Sequence, residues 1–241
     1  MSDLERGSRA QCIKFITGAP SVVAERLNQL TGHHADVDPA KPLYFPKSEH
    51  YSEEAELGVT EGLLTSCQRE LITKWWLAVP QHGGRPARTP NWDIAAKCTV
   101  DSRVGLILVE AKAHHAELHA GGSDAKDLNN RKRIGGAMIE ANNGLNATLP
   151  GWNLTVDSHY QLCNRFAWGW KVASLGVPVI LVYLGFLNVE DMPKSHVFRT
   201  GEEWKSALLE HAEGLVPRGA WEQKLDINGT PLVPLIRSWP S

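Results

Sequence analysis

Cysteine is scarce in this chain: four residues in 241, at positions 12, 67, 98 and 163, with no C-x-x-C pair among them. Neither a disulfide framework nor a cysteine-rich zinc site therefore organises it, and reduced core thiols in a cytoplasmic protein are expected. No apolar run approaches the roughly 18 residues that span a bilayer. The first twenty residues also lack the apolar core of a signal peptide, so no membrane partner is expected. Charge of one sign is missing too. Lys and Arg total 25 against 27 Asp and Glu, a net charge of −2, which announces no polyanionic partner but leaves room for a local basic patch. A glycine-rich phosphate loop, a nucleophile elbow, a dinucleotide fingerprint and an H-E-x-x-H pair are all absent, as are internal repeats. What the chain does have is apolar content of 42%, enough for one large domain over residues 1–241.

The most informative stretch is PNWDIAAKCTVDSRVGLILVEAKAH, residues 90–114. Residues 92–100 and 104–113 read as two strands joined at Asp101-Ser102-Arg103. Side chains alternate along a strand, so Glu110 and Lys112 share one face, and Asp93 shares a face with Ala95 and Lys97. The run Val104-Gly-Leu-Ile-Leu-Val109 is apolar on both faces, which marks a central strand. Ionised groups are costly to bury unless paired or bound to metal, so the charges at its end need a reason. One reason is a structural ion pair, Lys112 neutralising Glu110 or Asp93. The other is a site, because ligands bind at strand ends in α/β layers.

Asp93, then Glu110, Ala111 and Lys112 on the next strand, resembles the pattern of the PD-(D/E)XK nuclease superfamily, with the departure that Pro90 does not directly precede Asp93. The resemblance covers roughly residues 51–188. It implies an α/β, restriction-endonuclease-like αβββαβ core, a mixed sheet flanked by helices, with extensions at 1–50 and 189–241. It also implies a Mg²⁺-dependent nuclease, with Mn²⁺ able to substitute, acting on nucleic acid, DNA ahead of RNA. Asp93, Glu110 and the carbonyl of Ala111 would hold the ion. Lys112 would orient or help deprotonate the attacking water. Oxygen ligands without His or Cys favour Mg²⁺ over zinc.

The flanking elements fit this order. Residues 52–78 read as a helix whose buried stripe includes Leu57, Leu64, Leu71 and Trp75. Glu61 falls on that stripe, and the resemblance makes it the acid that completes the metal site, with Glu54 or Glu56 as alternatives. Residues 81–89 carry Arg85 and Arg88 and read equally as a strand or a loop. Residues 127–148 read as an inserted helix whose basic start, Arg131-Lys132-Arg133, is a candidate phosphate contact or an ordinary solvated face. Residues 156–175 read as a second core helix capped by Asp157 or Ser158, with Gln161, Arg165 and Trp168 along one face. By the resemblance, Gln161 assists catalysis and Arg165 meets substrate phosphate. His114, on the Lys112 face, is a further substrate contact. Residues 179–187 are apolar throughout, a strand buried on both faces and parallel to its neighbour. Asn228-Gly229 marks a hairpin between 223–227 and 232–236. Residues 1–11 read as a frayed polar terminus. Two rival functions are a catalytically silent nucleic-acid-binding module on the same fold, and an unrelated α/β enzyme using His114, His115 and His119.

Overall fold

The computed structural model describes residues 6–47, 53–78, 88–124, 127–192 and 196–241. Its centre is a six-stranded mixed sheet flanked by helices. In chain order the elements are α1 (Gly7–Ile16), α2 (Pro20–Thr31), β1 (Tyr44–Phe45), β2 (Ala55–Glu56), α3 (Ser66–Trp76), β3 (Asn91–Trp92), β4 (Ile94–Val100), β5 (Arg103–Lys112), α4 (Leu128–Thr148), α5 (Tyr160–Ser174), β6 (Val179–Leu187), α6 (Gly201–His211), β7 (Leu225–Ile227) and β8 (Thr230–Pro240). The sheet order is β1-β4-β5-β6-β8-β7, and β2 and β3 form a separate two-stranded arm. Strands β4 and β5 are antiparallel, β5, β6 and β8 run parallel, and β7 returns antiparallel on β8. Among the described residues no helix is long and apolar enough to cross a membrane.

Alternation divides the strands between two cores. Ala95, Leu106, Leu108, Leu181 and Leu232 face the layer of α3–α6, with Trp75, Trp76, Trp168 and Trp204 packed over them. Ile94, Ile107, Val109, Ile180 and Val182 face the opposite side, which α1 and α2 cover with Phe15, Leu27 and Leu30. The central strands are covered on both faces, which is why they read as nearly continuous apolar runs. The helices α1 and α2 are therefore one layer of the fold. The reading of residues 1–11 as frayed is corrected by α1, which starts at Gly7 and buries Gln11 and Cys12; residues 1–5 lie outside the described residues.

Three other expectations change. The helix read over 52–78 is only Ser66–Trp76 where described. Gly62 breaks it with φ +89°, a left-handed conformation that glycine adopts without strain. The helix starts instead at Thr65, whose hydroxyl accepts from the Gln68 N–H while the Gln68 side chain accepts from Thr65 N–H. The second core helix begins at Tyr160, because the loop after β5 takes up the preceding backbone: His159 and Tyr160 N–H donate to the carbonyls of Ala120 and Gly121. Neither Asp157 nor Ser158 caps it; His159 holds that place in a left-handed conformation. Finally, the third strand expected to pair with the Asp93 strand is not found there among the described residues: β3 lies between the helices but pairs with β2 in the separate arm. The edge next to β4 is filled by β1, from before α3, and residues 79–87 lie outside the described residues.

Both predicted hairpins form. Asp101 and Ser102 have φ +47° and +61°, a two-residue turn that pairs Val100 with Arg103. Asn228 and Gly229 do the same at φ +51° and +79°.

Candidate functional site

Register brings the charged residues together. Ile94 pairs with Val109, so Asp93 enters β4 beside Glu110, on the face that packs against α5. One strand over, Glu110 lies beside Tyr183, and Lys112 beside Gly185. Asp93 Oδ2 accepts from the Ala111 N–H at 2.7 Å. Lys112 Nζ donates to Glu110 Oε1 at 2.5 Å and to Gln161 Oε1 at 2.9 Å. Arg165 Nε donates to Glu110 Oε2 at 2.5 Å, and its Nη1 donates to Asn164 Oδ1 at 2.9 Å. The Arg165 guanidinium also lies 4.7 Å from the centre of the Trp92 ring. Asp93, Glu110, Lys112, Gln161 and Arg165 thus form one cluster.

Burial decides how these charges behave. Glu110 is 1% exposed, Arg165 5% and Lys112 8%, while Asp93 is half-buried. Burial alone would raise Glu110, but Arg165 and Lys112 overcome it and hold the carboxyl below the usual range. Burial alone would lower Lys112, but Glu110 and Asp93 overcome it and keep the ammonium charged. Asp93 is pushed up to about 7 by burial and by Glu110, against the pull of Lys112, the Ala111 N–H and Arg165. Of the two carboxyls, Glu110 is firmly ionised and Asp93 is the one poised to change.

A cleft of about 1010 Å³ opens over the cluster, between β3, the loop after β5 and the first turns of α4 and α5. Tyr160, Gln161, Asn164 and Arg165 line it along one helical face. Asn164 and Tyr160 escaped sequence reasoning, although their spacing from Gln161 and Arg165 could have found them. Glu54 also lines the cleft, where Arg9 and Asn91 hold its carboxylate at 3.3 and 3.0 Å.

No family model, curated protein or solved structure matches this chain.

Several expected site residues are placed elsewhere. Glu61 sits in the turn before α3 with its side chain 90% exposed, 3.9 Å from Arg69, so it does not join the acids. The glycine break that shortened the helix took it off the buried stripe. Arg131 pairs with Asp157 at 3.0 Å, Arg133 donates to the Lys74 carbonyl, and Lys132 and Arg133 line a separate groove between α3 and α4. The basic run is therefore not part of the cleft lining. His114 is buried against His196, with Nδ1 accepting from the Ala116 N–H, and it does not reach the cleft. His115 turns to Glu203 at 3.2 Å, while His119 lines the cleft alone of the three. The histidines at 114, 115 and 119 therefore do not form one site. Arg85 lies outside the described residues.

Among the described residues no three His, Cys, Asp or Glu side chains are grouped to hold an ion. Asp93 and Glu110 are oxygen donors of the kind a hard divalent ion of the Mg²⁺ type would take, with both Glu110 oxygens engaged by Lys112 and Arg165. Such an ion takes one or two protein carboxylates and keeps water and substrate oxygens for its other positions.

Proposed function

We propose that this chain is a metal-dependent nuclease that hydrolyses phosphodiester bonds of nucleic acid, DNA ahead of RNA, on a restriction-endonuclease-like core. The observation that carries this reading is the convergence of Asp93, Glu110, Lys112 and Gln161 at one end of the central sheet, against an open cleft. The order α3, the β4–β5 hairpin, α5 and a parallel β6 supports the core, with α4 as an insertion.

Asp93 and Glu110 would hold the ion, which supplies an activated water and neutralises the phosphoryl oxygens. Lys112 is kept protonated by its two acidic neighbours, so it would serve as a fixed positive charge beside the carboxylates, behind Gln161, and not as the base. Gln161 fixes the Lys112 ammonium at 2.9 Å and so sets where that charge points. The test is a panel of labelled single- and double-stranded DNA and RNA with Mg²⁺ or Mn²⁺. Cleavage by the native protein, lost by about 10²-fold or more in Asp93→Asn and Glu110→Gln, is expected. A panel left uncut, or cut equally by both variants, overturns the proposal.

One observation favours a second reading, in which the cluster only ties the sheet to α5. Both Glu110 oxygens are already held by cations in a buried setting. Calorimetric titration with Mg²⁺ separates the two, because a purely structural cluster takes up no ion that Asp93→Asn abolishes.

A further inference from the structure

Glu110 and Lys112 belong to the cluster, yet neither lines the cleft; Asp93, Gln161 and Arg165 do. The α5 side chains stand between the strand pair and the cleft, each holding the residue behind it. Gln161 accepts from Lys112, and Arg165 donates to Glu110. Arg165 is in turn steadied by Asn164 Oδ1 and by the face of Trp92. A guanidinium gripped at several points by its fork and its plane keeps its place through geometry as well as charge.

We infer that Arg165 is the gate of this site: it covers Glu110 Oε2 from the cleft side, and a divalent cation reaches that carboxylate only by displacing it. The inference rests on the nuclease reading above. Guanidinium and ion compete for one carboxylate, so ion entry breaks the Arg165–Glu110 hydrogen bond and leaves the guanidinium on the cleft wall, where it meets an anionic substrate. This role differs from long-range charge repulsion, since it depends on the Arg165 contact itself.

The test is calorimetric binding of Mn²⁺ at a pH above 7, where Asp93 is ionised. It compares the native protein with Arg165→Gln, Arg165→Lys, Asn164→Ala and Asp93→Asn. Arg165→Gln is expected to bind about tenfold tighter than the native protein, since a charged hydrogen bond no longer has to be broken. Arg165→Lys keeps the charge but loses the fork, and Asn164→Ala keeps the guanidinium but frees one edge of it. Both are expected to bind several-fold tighter than the native protein, and both keep a cation beside Glu110 should Arg165→Gln fail to fold. If Arg165→Lys and Asn164→Ala bind as the native protein does while Asp93→Asn binds nothing, the gate is overturned and the metal site stands. If neither the native protein nor any Arg165 variant binds the ion, the metal-site reading itself fails and the gate with it.

Discussion

Asp93 and Lys112 ask opposite things of the same few cubic ångströms. Asp93 is pushed up to about 7 in the folded chain, from 3.8 for the free side chain, chiefly by burial. A carboxyl whose folded value lies above its unfolded value binds more protons when folded, so it favours folding most at low pH. Stability from this group should fall as pH rises from about 4 to about 7 and then level off. Asp93→Asn removes that slope and should melt higher than the native protein at pH 8 without added ion, as thermal melts across pH would show. If Asp93 holds a divalent ion as proposed, the same protonation competes with it, so Mg²⁺ affinity should climb with pH up to about 7. Lys112→Met works the other way. It leaves Glu110 with Arg165 as its sole cation, and removal of one partner from a buried pair should cost about 3 kcal/mol by urea denaturation. A loss below about 1 kcal/mol would mean that the pair is not held as the geometry indicates.

At the scale of elements, the site depends on how closely α6 and α5 approach the sheet. Gly185 lies beside Lys112 on β6, and a Cβ there would sit 2.4 Å from the Trp204 ring of α6. Gly185→Ala should therefore push α6 off the sheet and cost about 1–3 kcal/mol, the usual cost of overpacking. On the proposed nuclease function, cleavage should fall more than this loss of stability explains, because the neighbouring strand position carries Lys112. Melting temperature and activity of Gly185→Ala, compared at a temperature where the variant is fully folded, check both parts. Most of these elements were legible from the chain. The apolar runs of β5 and β6, the Asn228-Gly229 turn and the charged end of β5 all follow from alternation and turn chemistry. The start of α3 was legible too, in the Thr65-x-x-Gln68 capping box, but the apolar spacing of Leu57 and Leu64 pointed further upstream. Both side chains are buried as expected, Leu57 in a turn and Leu64 in an isolated β-bridge and neither in helix, because burial alone does not specify backbone conformation.

Across the whole molecule, the charge of the cleft decides how the proposed nuclease would hold nucleic acid. The cleft sets Glu54, Asp93, Asp124 and Asp127 against Arg88 and Arg165, with Arg131–Arg133 turned elsewhere. A duplex gripped through many phosphates is not what this lining provides. Binding of labelled DNA by Lys112→Met should therefore require a divalent ion. Its affinity should fall with salt at a slope of only about −1 to −2 on logarithmic axes. A slope near −6, equal with and without the ion, would place the DNA on another surface.

Periodicity and local chemistry, which a chain carries with it, determined that Glu110 and Lys112 share one strand face, that Asp93 shares a face with Ala95 and Lys97 on the strand before, and that Gln161 and Arg165 share one helix face. They did so because pleat and helical pitch are properties of neighbouring residues. Which face meets which was decided only by tertiary packing. The sheet register put Asp93 beside Glu110, and the docking of α5 closed Arg165 over it. The glycine break before α3 removed Glu61 from the site, and the docking of α4 on α3 and α5 carried Arg131–Arg133 away from the cleft. The register and the docking of α4 and α5 do not follow from spacing along the chain, because each depends on contacts between residues tens of positions apart, where burial and charge pairing settle the outcome together; the Gly62 break is local, but the apolar spacing of Leu57 and Leu64 points the other way.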